Sequence, residues 1–134
     1  MNNIVKYLNI PHSYSGTNCL SLIAKFYETE LNISFSEERE IFNNFQIPNL
    51  KALREIPIEK VYSLKNWSKI DLTNIEEFAI IMYIRHSKIS HFSMYVGDLK
   101  ILDLRQNSHS VLRHLNDTQR DSIGSCFQHK QLAT

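Results

Sequence analysis

The apolar pattern of this chain changes period once, near residue 78. Before that point hydrophobic residues recur at helical spacing, and after it they fall into short alternating or β-branched blocks. Leu20, Ile23, Ala24, Tyr27 and Leu31 share one helical face, with Phe26 at its border, which predicts a helix from Cys19 to about Leu31. Thr17 or Asn18 is the N-cap, since either side-chain oxygen can accept an orphan amide of the first turn. Ile4, Val5, Tyr7 and Leu8 predict a short opening helix or turn, stopped at Ile10 by Pro11. Residues 11–18 are rich in turn formers and read as a loop. Ser36-Glu37-Glu38-Arg39-Glu40 opens a second helical segment, its early acids suited to a helix N-terminus, and the apolar face of Ile41, Phe42 and Phe45 ends near Pro48. Residues 49–66 are ambiguous: Leu50 to Leu53 fits one helical turn and Val61 to Leu64 fits a strand. Trp67 and Ile70 read as core anchors.

Phe78 to Ile84 reads as a buried strand. A second strand, Ser90 to Val96, carries Ser90, Phe92, Met94 and Val96 on one face and His91, Ser93 and Tyr95 on the other. Gly97-Asp98-Leu99-Lys100 signals a hairpin turn, followed by strands at Ile101 to Leu104 and Ser110 to Leu115. The tail from about Asn116 is polar except for Ile123 and Phe127 and receives no element. Helices followed by antiparallel strands make an α+β chain, read as one domain over residues 1–134.

A net charge of +1 with scattered basic residues leaves no footprint for nucleic acid or an anionic membrane. The longest apolar run, Phe78 to Ile84, is far short of the roughly 20 residues of a membrane helix. The first residues lack a signal peptide's charged and apolar regions, so the expectation is cytoplasmic synthesis. Two cysteines, Cys19 and Cys126, do not make a disulfide framework; two free thiols are expected, with a bridge between them left open.

Cys19 falls in the first turn of its helix, where unpaired amides and the positive end of the macrodipole favour a thiolate. Read alone, such a residue is more often a small buried inert thiol. His91 lies on the less apolar face of its strand. Asp103, one hairpin later, falls near it: with the turn centred between Gly97 and Asp98, the position opposite His91 lies near Lys100 to Asp103. A carboxylate beside an imidazole fixes its tautomer and stabilises its protonated form. Thiol, imidazole and carboxylate together form a set suited to nucleophilic acyl transfer. Read singly, His91 is a hydrogen-bonded sheet residue and Asp103 a solvated strand end.

Two stretches resemble the NlpC family of papain-like cysteine peptidases. The first runs from Ile4 to Ile23 and is similar to that family's short helix, turn, Gly-containing loop and Asp-Cys or Asn-Cys helix start, here Asn18-Cys19. The second, His91-Phe92-Ser93-Met94-Tyr95-Val96-Gly97-Asp98-Leu99-Lys100-Ile101-Leu102-Asp103, is similar to the family's His-Val-Gly-Ile-Tyr-Leu-Gly-Asp-Gly-Lys-x-Leu-His pattern. The resemblance implies a papain-like fold, N-terminal helices packed on an antiparallel sheet of about four to six strands. It implies Cys19 as nucleophile, His91 as base and Asp103 in the third polar place. The tyrosine that helps the family's oxyanion site falls on His12, with Tyr14 two residues later, so both are candidates for that role. The implied activity is a cysteine peptidase or amidase on peptidoglycan stem peptides, without cofactor or metal. Phage tail-associated relatives make a virion tail, with other tail or assembly proteins as partners, the expected setting.

The chain departs from the family pattern at several places. Asn18 stands for Asp, Leu20-Ser21 for Ser-Gly, His12 for Tyr, Asp103 for the commoner His, and Glu76-Glu77-Phe78 for the Gly-Asp that opens the first strand. These departures keep open a catalytically silent structural module of the same fold. A permuted acyl transferase would place His before Cys, the reverse of the order here. A metal hydrolase would draw on His86, His91, His109, His114 and Asp103, but spacings of five match no helical ligand pair.

Overall fold

The computed structural model describes residues 4–13, 16–117 and 122–132. Among the described residues four α-helices precede the first strand: α1 (Cys19–Glu30), α2 (Ser36–Ile41), α3 (Leu50–Arg54) and α4 (Ile58–Tyr62). Six strands follow among the described residues: β1 (Trp67–Ile70), β2 (Ile80–Arg85), β3 (Lys88–Gly97), β4 (Lys100–Asp103), β5 (Val111–His114) and β6 (Ile123–His129). They form one antiparallel sheet in the order β1-β6-β2-β3-β4-β5. The chain is therefore α+β. No helix among the described residues is long and apolar enough to cross a membrane.

Apolar residues are buried on both sheet faces. Ile80, Met82, Phe92 and Met94 join Leu20, Ile23, Phe26 and Tyr27 of α1 in the main core. Ile81, Tyr83, Tyr95, Ile101 and Cys126 form a second cluster on the opposite face, covered by Leu115, Leu72 and Ile75. A strand covered on both sides carries no polar alternation, which is why Phe78 to Ile84 is continuously apolar. The tight β2–β3 turn places His86 and Ser87 at positive φ, and the β3–β4 turn does the same with Asp98 and Leu99, as two-residue hairpins require.

Two expectations are corrected and a third is extended. Val61 to Leu64 is not a strand: α4 starts after Pro57 and runs to Tyr62, with Val61 buried on it and Leu64 buried just past its Ser63 cap. Trp67 and Ile70 bound a strand, β1, as well as anchoring packing. Part of the unassigned tail is β6, which lies between β1 and β2. Two of its buried polar residues meet distant groups: Ser125 Oγ lies 2.8 Å from the Tyr62 hydroxyl, and the His129 ring stands edge-on to Trp67 at 4.8 Å.

Candidate active site

Asn18 sets the start of α1. Its Oδ1 accepts from the amides of Leu20 and Ser21 at 3.1 and 3.0 Å, and Ser21 Oγ accepts from the Asn18 amide at 2.9 Å. This reciprocal capping box settles the choice between Thr17 and Asn18 and gives Ser21 a defined role. Asn18 Nδ2 donates to the Phe45 carbonyl at 3.0 Å, tying the helix start to the turn after α2. That second bond needs an amide donor, which a carboxylate lacks. Cys19 follows as the first residue of α1, half-buried, with a free thiol.

His91 lies next to an irregularity in the β2–β3 pairing. Tyr83 pairs with His91 and Ile84 with Ile89, so Ser90 is an extra residue on β3. A bulge of this kind switches the side to which the next side chain points. Ile89 and Phe92 both face the main core, and His91 faces away from it. The His91 ring stands 5.3 Å from that of Tyr83, whose hydroxyl is 2.8 Å from Ser93 Oγ. A matching irregularity lies across β2, where Tyr83 pairs with Ile123 and Met82 with Ser125, leaving Gly124 as the extra residue. A Cβ on Gly124 would stand 2.2 Å from Ile84 Cδ1, so glycine allows this close approach.

Asp103 is buried at the end of β4. His91 Nε2 lies 2.5 Å from its Oδ1, while Oδ2 accepts from Arg105 Nε at 2.8 Å and Arg113 Nε at 3.0 Å. Burial by itself would raise the Asp103 pKa; the hydrogen bond and charge of His91, with Arg105, reverse this and hold it below the usual carboxylate value. Burial would likewise lower that of His91, but its hydrogen bonds to Asp103 and Cys19 and the charges of both carry it to about 9. With Nε2 on Asp103, Nδ1 is the ring nitrogen left for the Cys19 thiol. The three residues expected from sequence thus gather at one place, His91 bonded to Asp103 and sharing the cleft with Cys19.

His12 reaches the same site by a separate route. The Asn9 amide donates to the Ser110 carbonyl at 2.8 Å and the His12 amide to the Ser108 carbonyl at 2.9 Å, so this segment runs beside the approach to β5. Ser110 is fully buried and its hydroxyl donates to the Tyr7 carbonyl at 2.6 Å. His12 then lines a cleft of about 310 Å³ together with Cys19, His91, Tyr83 and Arg54. Its pKa is lowered, first by burial and then by the charge of His91, which favours a neutral ring. Tyr14 lies outside the described residues.

Sequence reasoning missed Tyr83, Arg105, Arg113 and Arg54. Arg105 was within reach of it, since it follows Asp103 by two residues and so shares its side of an extended chain. Arg54 and Arg113 depend on packing and pairing that no local pattern encodes. Among the described residues, no three His, Cys, Asp or Glu side chains gather into a group able to hold a metal ion. Comparison with protein-family models and with curated proteins finds no match to the chain.

Proposed function

We propose that the chain is a cysteine peptidase or amidase with a papain-like fold of the NlpC type. The observation that carries this reading is the position of His91, bonded to Asp103 and lining one open cleft with Cys19. In the proposed reaction the Cys19 thiolate attacks an amide carbonyl while His91 is held as imidazolium. The oxyanion of the tetrahedral intermediate rests on the Cys19 backbone amide, which Asn18 does not cap, and on a neutral His12 acting as N–H donor. Collapse breaks the C–N bond, and His91 gives its proton to the departing amine. Water then attacks the thioester with His91 as base, releasing the carboxylic acid and restoring the thiolate–imidazolium pair. Asp103 orients the ring and stabilises its charge throughout.

Resemblance to NlpC-type peptidases points to peptidoglycan stem peptides as substrate and to a phage tail as setting. The reading is tested by following alkylation of Cys19 against pH in wild type and His91→Ala, beside hydrolysis of a purified muropeptide. Expected are fast labelling of Cys19 well below pH 8.5 in wild type only, and hydrolysis that is lost in Cys19→Ala. Cys126, whose pKa burial pushes up to about 11, is the internal control and should stay unlabelled. Labelling of Cys19 that ignores His91, with no hydrolysis, would make the domain a silent structural module.

A further inference from the structure

Asp103 is met by three basic side chains. Its own side chain is fully buried, Oδ1 lies 2.5 Å from His91 Nε2, and Oδ2 takes Arg105 Nε at 2.8 Å and Arg113 Nε at 3.0 Å. The two arginines come from different elements. Arg105 follows the end of β4 by two residues and lines the cleft. Arg113 stands within β5, where it pairs with Ile101 of β4, and is not among the described residues that line the cleft. Charge alone does not explain this arrangement. A guanidinium beside Asp103 opposes a second positive charge on the imidazole, so it weakens the hold of the carboxylate on a protonated His91. What it supplies is geometry. A carboxylate turns freely about its last bond, and a buried oxygen without a donor carries a desolvation penalty. Donors arriving on Oδ2 from β5 and from the chain after β4 fix that turn and leave Oδ1 to the ring.

We propose that Arg113 is a positioning residue that acts through Asp103, holding its carboxylate in the orientation that presents Oδ1 to His91 Nε2 and so fixing the ring in the cleft. The inference rests on the peptidase reading for the reaction that the ring serves, while the orientation of the ring is independent of that reading. The other titratable groups at the ring are Tyr83 of β2, His12 of the loop before α1 and Cys19 of α1, and the variants below leave them in place. The Arg113 side chain is about one-third exposed, so its replacement leaves the core intact.

The test follows the His91 ring protons by NMR against pH in the substrate-free protein, beside kcat and KM for a purified muropeptide. Arg113→Met removes charge and donor together, and Arg113→Lys keeps the charge without the planar donor. In Arg113→Met the ring pKa should fall from about 9 toward 6.5, and kcat should drop about tenfold or more at unchanged KM. Arg113→Lys should lie between this variant and wild type in both readouts. A ring pKa that rises in Arg113→Met and stays in Arg113→Lys would reduce Arg113 to a nearby charge, and one that stays in both would leave it a surface arginine; either result overturns the proposal. A raised KM at unchanged kcat would also overturn it, since that marks contact with substrate. If wild type hydrolyses no peptide, the peptidase reading fails, and the ring titration decides the role of Arg113 without it.

Discussion

Asp103 reaches His91 along a diagonal of the sheet. Extending the Met94–Leu102 pairing by one residue sets Asp103 beside Ser93, two positions from His91 on the same side of β3. Even so, its Oδ1 lies 2.5 Å from His91 Nε2. Diagonal neighbours on one sheet face stand close enough for long side chains to meet. The two arginines on Oδ2 leave Oδ1 turned to the histidine.

The pH dependence follows from the raised pKa of His91. Its folded value of about 9 lies above the ordinary 6.5, so the stabilisation from its charged form is complete below pH 6.5 and is lost as pH rises through 9. Thermal melts from pH 6 to 10 should show wild-type Tm falling across this window, with the fall much reduced in His91→Gln. In the peptidase reading, kcat/KM should decline over the same alkaline limb as the general acid deprotonates.

Asp103→Asn removes the charge that keeps His91 protonated. Burial, the largest influence on that ring, then prevails, and its pKa should fall toward or below 6.5, as read by NMR titration of the ring protons. Turnover should drop by about a hundred- to ten-thousandfold. Loss of a charged acceptor for Arg105 and Arg113 should lower stability by about 1–3 kcal/mol in urea unfolding.

Asn18 distinguishes a helix cap from a buried bridge. Asn18→Ala should destabilise by about 1–2 kcal/mol through the lost cap. On an exposed helix start Asp would serve as well as Asn, helped by the macrodipole. Here Asn18→Asp sets a carboxylate oxygen against the Phe45 carbonyl at a buried position, so it should destabilise by about 1–3 kcal/mol. Urea unfolding of the two variants beside wild type checks this.

What the sequence determined by itself was whatever local periodicity encodes. The span of α1, the strand character of residues 80–103, the β3–β4 turn and the α+β class are all set by the spacing of apolar residues and by turn chemistry. Cys19, His91 and Asp103 were likewise legible, since a helix start and one hairpin place them. The expected turn centre was one residue early: Gly97 pairs with Lys100, which centres the turn between Asp98 and Leu99. The extra residue at Val96 then shifts the pairing again, and such shifts depend on partners across the sheet. Only the tertiary structure decided the extra residue at Ser90 that sets Ile89 on the core side with Phe92, the burial of β6 between β1 and β2, the bond from Asn18 to Phe45 and the placing of Arg54 in the cleft. Each joins residues distant in sequence, or fixes a strand register, and neither is carried by the period of a single segment.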